Sequence, residues 1–217
     1  MEELKIGIVA EGISDYRVIK HIIERFLKDK NLNIVSLQPK ITPSGKQDGY
    51  GGWQKIFEYI SQKEYIIDLA QTEDCALIIV QLDTDVCEQY GINVNTNHEI
   101  LFNDIRAKIH EKAHPDFDKT KIIPAVCIHS LECWLIPFVS NDNTQCRKID
   151  HCIRAINREI RTVGTIDENN KGAALHLYDF ILGKKKKAKE IQEIAQQNFG
   201  FSKFIELLST LNNEIQN

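Results

Sequence analysis

The chain has 217 residues, a formal net charge of −4 and 42% hydrophobic residues. That is enough apolar material to bury the core of one medium domain, or of a domain with an appendage. The charge balance supplies no global field for a polyanion, so any nucleic-acid contact has to come from a local patch. No apolar run approaches the about 20 residues that a membrane-spanning helix needs. The acidic start, Glu2-Glu3, lacks the basic and then apolar pattern of a secretory signal, so a cytoplasmic protein is expected. The six cysteines (Cys75, Cys87, Cys127, Cys133, Cys146 and Cys152) form no Cys-x-x-Cys pair and are expected to be reduced, mostly buried thiols. Cys146, His151 and Cys152 do not have the spacing of zinc ligands.

Residues 4–10 form a nearly unbroken apolar run, the pattern of a strand buried on both faces of a parallel sheet. The run stops at Glu11-Gly12. Val18, Ile19, Ile22, Ile23, Phe26 and Leu27 then recur at the spacing of one helical face, with Ser14 or Asp15 expected to cap the helix. Glu11 thus sits where a buried strand gives way to a helix, the edge at which open α/β sheets bind ligands. Residues 33–38 read as a second strand stopped by Pro39, and the glycine-rich stretch 40–52 reads as a loop. Gly51-Gly52 precedes a helix expected to run from Trp53 to about Ala70. The pair either turns the chain or lets backbone N–H groups approach a phosphate.

A second buried strand, residues 76–82, is followed at once by Asp83-Thr84-Asp85. Side chains at i and i+2 of an extended chain project to one side, so both carboxylates are expected to face one ion. Glu11, Asp83 and Asp85 are therefore delivered to the carboxyl ends of two strands. A bound cation offsets the mutual repulsion of such a cluster, and an all-oxygen donor set favours Mg²⁺ or Mn²⁺. Glu88 lies in the polar connector 85–97 as a further outer acid. A helix follows over 98–110, with His98, His110 and His114 expected at surfaces or helix ends. Residues 122–128 read as the next strand, leading through His129 into a helix whose buried face is marked by Leu131, Trp134 and Leu135. Glu132 is expected off that face, near the strand's carboxyl end and beside the other acids.

Glu-Gly after the first strand, a helix, and Asp-x-Asp after a later strand together resemble the Toprim domain of topoisomerases, primases and small nucleases. The form Glu11-Gly12-x-x-Asp15, with a second acid, resembles the overcoming-lysogenization-defect (OLD) nuclease branch, and the Glu132-Cys133-Trp134 step resembles small bacterial Toprim-like phage-defence proteins. The resemblance spans roughly residues 5–135. It implies that Glu11, Asp83 and Asp85 hold Mg²⁺ or Mn²⁺ for phosphodiester chemistry, with Asp15 and Glu132 assisting. It also implies a downstream lysine, assigned to Lys171, that stabilises charge in the transition state.

Beyond Ser140 no strand pattern continues; helices are expected at 150–160, 171–182, 184–197 and 202–214. The chain therefore divides into an α/β part, 1–140, and a helical extension, 141–217. The fold expected is a Toprim-like, mostly parallel central sheet with helices on both faces. Lys184–Lys187 is a basic run suited either to phosphate contacts or to a solvated helix surface. No P-loop is present, so ATP hydrolysis by the Walker mechanism is excluded for these residues. No tyrosine is marked as a topoisomerase nucleophile. The resemblance then implies a stand-alone endonuclease acting on DNA or RNA, the effector of an anti-phage system whose ABC-type ATPase is a separate protein. A docking face for that partner is expected on the last helix, at Phe199, Phe201, Phe204, Leu207 and Leu208. The rival reading is a non-catalytic Toprim-like module that regulates an ATPase.

Overall fold

The computed structural model describes residues 3–28, 30–69, 75–185 and 187–214. Four strands form one sheet: β1 (Leu4–Val9), β2 (Leu32–Gln38), β3 (Leu77–Asp83) and β4 (Ile122–Cys127). Their order is β2-β1-β3-β4, and every neighbouring pair is parallel. The unbroken apolar runs have their cause here, because both faces are covered. Ile6, Ile8, Leu77, Ile79, Ile123 and Ala125 enter one core, and Ile78, Val80, Leu82, Ile122 and Val126 enter the other. This is the period-two alternation of extended chain, hidden from the sequence because both sides need apolar residues.

On the first face lies α1 (Ile13–Phe26), which buries Val18, Ile19, Ile22 and Ile23. The second face is covered by α2 (Trp53–Ser61) and α3 (His98–Lys112). The helix expected from Trp53 to Ala70 breaks at Gln62, whose backbone is extended, and continues as a π-helix over Glu64–Leu69; Ala70 lies outside the described residues. Within the polar connector, Cys87–Tyr90 forms a 3-10 turn that leaves Glu88 exposed.

The helical part after Ser140 belongs to the same core as the sheet. After α4 (Glu132–Val139) it comprises α5 (Asn143–Cys146), α6 (Cys152–Glu159), α7 (Leu175–Leu182), α8 (Ala188–Ala195) and α9 (Phe199–Glu214). The basic run does not join α8, which begins only after Lys187; Lys184 and Lys187 are exposed, and Lys186 lies outside the described residues. Helix α9 packs along β4, where Gly200 approaches the Val126 carbonyl so closely that a Cβ would clash. It thereby covers an edge strand that would otherwise expose unpaired backbone.

Two expectations fail in this region. Phe201, Phe204 and Leu208 are fully buried, Phe201 stacking on Trp134, and Phe199 and Leu207 pack half-buried against the second core. The last helix thus completes the protein's own interior instead of offering these residues as a docking face. Cys133 and Cys152 are also not free thiols: they form a disulfide across α4 and α6, with Cα atoms 5.0 Å apart. Their 19-residue separation concealed a contact made only when the two helices pack. Cys75, Cys87, Cys127 and Cys146 are buried free thiols. No helix among the described residues is long and apolar enough to cross a membrane.

Candidate active site at the carboxyl edge of the sheet

Strands β1 and β3 run level, with Val9 opposite Val80, so Glu11 and Asp83 emerge side by side. They are tied directly: Glu11 Oε1 accepts the Asp83 N–H at 2.8 Å. A third residue locks the pair. Gln81, fully buried in β3, accepts the Glu11 N–H through Oε1 at 3.0 Å and donates through Nε2 to Asp83 Oδ1 at 2.8 Å. Asp83 Oδ1 also accepts the Leu131 N–H at 3.0 Å, which fastens the turn entering α4 to the same carboxylate. These bonds engage one oxygen each of Glu11 and Asp83.

Asp15 joins them from α1. The helix starts at Ile13 with Gly12 as its N-cap, so neither Ser14 nor Asp15 caps it; the Ile13 N–H is taken by Gln47 Oε1 at 3.0 Å. Asp15 instead lies inside the first turn, 5% exposed, and its Oδ1 has no hydrogen-bond partner. An orphaned buried carboxylate oxygen is costly unless something outside the protein's own groups satisfies it. The loop 40–52 closes this side of the cleft. Gly52 donates its N–H to the Glu11 carbonyl at 2.8 Å, and Gly51 lies against the same carbonyl, where any Cβ would collide. The Gly-Gly step is therefore used for close approach to Glu11, and one of its N–H groups is already spent.

Lys171, on a 3-10 turn (Lys171–Ala174), reaches the cleft wall. Its Nζ contacts both oxygens of Glu132, at 2.8 and 2.9 Å. Tyr178 of α7 donates its hydroxyl to Glu132 Oε1 at 2.8 Å. Glu132 is only 1% exposed, so it is neither a solvated helix acid nor off the buried face. It is a buried anion held by a lysine and a phenol. The cleft bounded by Glu11, Asp15, Asp83, Lys171 and the Gly51-Gly52 step has a volume of about 620 Å³.

Asp85 departs from expectation. It is exposed and faces a neighbouring pocket with Thr84 and His129, not the cleft that Asp83 lines. The i, i+2 rule holds for continuous strand, whereas β3 ends at Asp83 and the chain turns. Asp85 still acts on Glu11 through its charge.

The electrostatics follow from burial. Burial pushes the Glu11 carboxyl up to about 8, with Asp15 and Asp85 adding to the rise and the Asp83 N–H and Lys171 opposing it. Burial likewise raises Asp15 to about 6, with Lys171 opposing and Glu132 reinforcing the rise. Asp83 is raised well above the usual carboxylate range, first by burial and then by Glu11, Asp15 and Glu132. For Lys171, burial alone pulls the ammonium down, but Glu132, Asp15 and Asp83 together override it and hold it above its ordinary value.

A divalent cation suits this cleft in donor chemistry: three hard carboxyl groups, an orphaned oxygen, and acids whose ionisation burial opposes until a cation compensates it. Among the described residues no group of three or more His, Cys, Asp or Glu side chains is arranged, as it stands, so that it could hold a metal ion. Glu132 in particular has its oxygens committed to Lys171 and Tyr178. Comparison with known proteins adds no identity: no family model matches the chain, and no curated protein or solved structure matches it.

Sequence reasoning missed two residues of the site, Gln81 and Tyr178. Gln81 had a signal, because a polar side chain within a strand buried on both faces must find partners. Tyr178 had none; its role depends on how α7 packs.

Proposed function

We propose that the protein is a Mg²⁺- or Mn²⁺-dependent endonuclease of Toprim type, hydrolysing phosphodiester bonds of DNA or RNA. The observation that carries this reading is the convergence of Glu11, Asp83 and Asp15 in one cleft beside Lys171, with Asp15 Oδ1 buried and unpartnered. Glu11, Asp15 and Asp83 would hold the cation. When bound, such an ion lowers the pKa of an attacking water and neutralises charge on the phosphate. Gln81 and the Leu131 N–H keep Asp83 oriented. Lys171, aimed by Glu132 and Tyr178, presents positive charge to the phosphate oxygens as charge builds on them. Asp85 contributes charge from beside the cleft. An all-parallel four-stranded sheet with helices on both faces and acids at its strand ends supports this reading. On the same reading a separate ABC-type ATPase controls the protein as a phage-defence effector.

The test is cleavage of DNA and RNA by the purified protein with Mg²⁺ or Mn²⁺ and its loss on adding EDTA. Glu11→Gln should lower cutting by at least about 100-fold, the upper range for losing a group that orients a metal. The rival reading, a non-catalytic module regulating an ATPase, is favoured by one observation: Glu132 and Lys171 are already satisfied by each other. Absence of cutting, alone or with a partner ATPase, together with intact ATPase binding would establish that rival.

A further inference from the structure

On the other side of the β3 turn lies a second pocket, of about 410 Å³, which the chemistry above leaves unused. Its walls are Val94, Leu101, Ile128 and Ile149, and its polar groups include Asp85, Asn95 and His129. Two features separate it from an ordinary surface dent. Val94 is 63% exposed and Ile149 38% exposed, so large apolar side chains flank it in contact with water. His129 sits in the left-handed region at φ 67°, a conformation that costs a non-glycine residue energy. Three hydrogen bonds hold it there: its N–H donates to Thr84 Oγ1 at 2.7 Å, and its carbonyl accepts the Thr84 and Asp85 N–H groups at 2.9 and 3.0 Å. The strained backbone fixes where the imidazole leaves the chain, at the lip of this pocket.

The pocket and the acid cleft are lined by successive residues of one turn. Asp83 lines the cleft, and Thr84 and Asp85 line the pocket. Only the Thr84-Asp85 turn stands in the chain between the acid that lines the cleft and this pocket. Apolar side chains interspersed with a few hydrogen-bonding groups suit the face and rim of a nucleobase. We propose that this pocket takes one unpaired nucleobase adjoining the phosphate held in the cleft, so that the protein selects single-stranded or unstacked nucleic acid. The inference rests on the phosphodiester reading of the cleft for the position of that phosphate. A base within a duplex cannot enter, because its edge is paired and both its faces are stacked.

The experiment separates this inference from cutting. The unsubstituted full chain is titrated in Ca²⁺, an oxygen-liganded stand-in for Mg²⁺, with fluorescent oligonucleotides checked to be intact after each titration: single-stranded DNA, single-stranded RNA, and the duplex of each. A parallel set carries 5-iodouracil for photo-crosslinking, with the sites mapped by mass spectrometry. Single strands should bind at least about 10-fold more tightly than duplexes, within the range for one base held on an apolar face. Crosslinks should fall in residues 94–101, 128–129 or 149–150. The double substitution Val94→Ser/Ile149→Ser, at exposed positions, and His129→Gly, which suits the left-handed backbone, should each weaken single-strand binding by about 10-fold and leave thermal stability near that of the parent. Equal affinity for duplexes, crosslinks confined elsewhere, or unchanged binding by these variants would overturn the pocket. Binding and crosslinks as expected, with no cutting by the unsubstituted protein in Mg²⁺ or Mn²⁺, would uphold the pocket and overturn only the nuclease reading.

Discussion

Buried acids occur at this edge of the sheet in two arrangements, Glu132 behind Lys171 and Glu11, Asp15 and Asp83 around the cleft, and the two solve the same electrostatic problem differently. Glu132 is the more deeply buried, yet its charge is met inside the protein by the Lys171 ammonium and the Tyr178 hydroxyl. Glu11, Asp15 and Asp83 receive only amide hydrogen bonds, a weak hydroxyl contact from Ser14 and a share of the Lys171 field. The first group is a closed unit. The second is left with carboxyl groups that burial keeps from ionising readily and with an orphaned oxygen, which is the condition of a site that expects a cation or protons from outside. The comparison teaches that burial alone does not mark a ligand site; uncompensated burial does.

The largest expected effect comes from opening the closed unit. Lys171→Met leaves the Glu132 charge buried without its cation and should destabilise the protein by about 3 kcal/mol, measured by urea unfolding. Adding Glu132→Gln should recover most of that loss, because the stranded charge is removed. If Lys171→Met is as stable as the parent, Glu132 is not held as an ion by Lys171 and the contrast between the groups collapses.

The open group is tested by supplying what it lacks. Mg²⁺ or Mn²⁺ at about 100 times its dissociation constant should raise stability by about 2.7 kcal/mol. For a domain of this size that corresponds to roughly 5–10 °C in thermal midpoint. Glu11→Gln and Asp15→Asn should each abolish most of the shift, whereas Glu132→Gln should leave much of it. A shift that survives both substitutions in the open group would place the ion elsewhere.

Protons are the other partner available to the open group, and the sign of their effect follows from the raised values. Glu11 at about 8 and Asp15 at about 6 hold protons in the folded protein that their unfolded forms release near 4. The folded state therefore binds more protons between about pH 4 and 8, and metal-free stability falls as pH rises across that window. Below it both states are protonated, and above it the full repulsion is present. Melting temperatures at pH 5.5 and 8.5, without and with Mn²⁺, should show the metal-free protein losing stability and the metal-bound protein losing much less. Stability that rises steadily to pH 8.5 without metal would mean the acids are already compensated.

How much of this was legible in the sequence differs between the two groups for a physical reason. The open group lies at the ends of buried parallel strands, and such strands announce themselves as apolar runs whose last residue is a single acid. Glu11 and Asp83 could be found that way, whereas Asp15 read as a possible helix cap and entered the site only through the resemblance; the structure puts it in the first turn of α1. The closed unit depends on packing between distant helices. Nothing local to Glu132 says that it is buried, and Tyr178 lies 46 residues away on α7. Lys171 stands at the start of a helix expected over 171–182, but its ion pair with Glu132 is visible only in three dimensions. Asp85 shows the opposite limit. The rule that puts i and i+2 on one side assumes that the strand continues, and the Asp83 backbone is where it stops.

The smallest expected effect is the most selective. Tyr178→Phe removes one hydroxyl and leaves the Glu132–Lys171 pair intact, so only one hydrogen bond to a buried carboxylate is lost. The loss should be about 1–2 kcal/mol of stability, since an unsatisfied buried acceptor is costly but Lys171 still holds Glu132. If Tyr178 acts through Glu132 to aim Lys171, the same substitution should lower the cutting rate constant while leaving the affinity for divalent cation unchanged. A purely structural role would lower stability alone, and the cutting rate measured well below the melting temperature would match that of the parent. A change in cation affinity instead would mean that the closed and open groups are one network, and the distinction drawn between them would no longer hold.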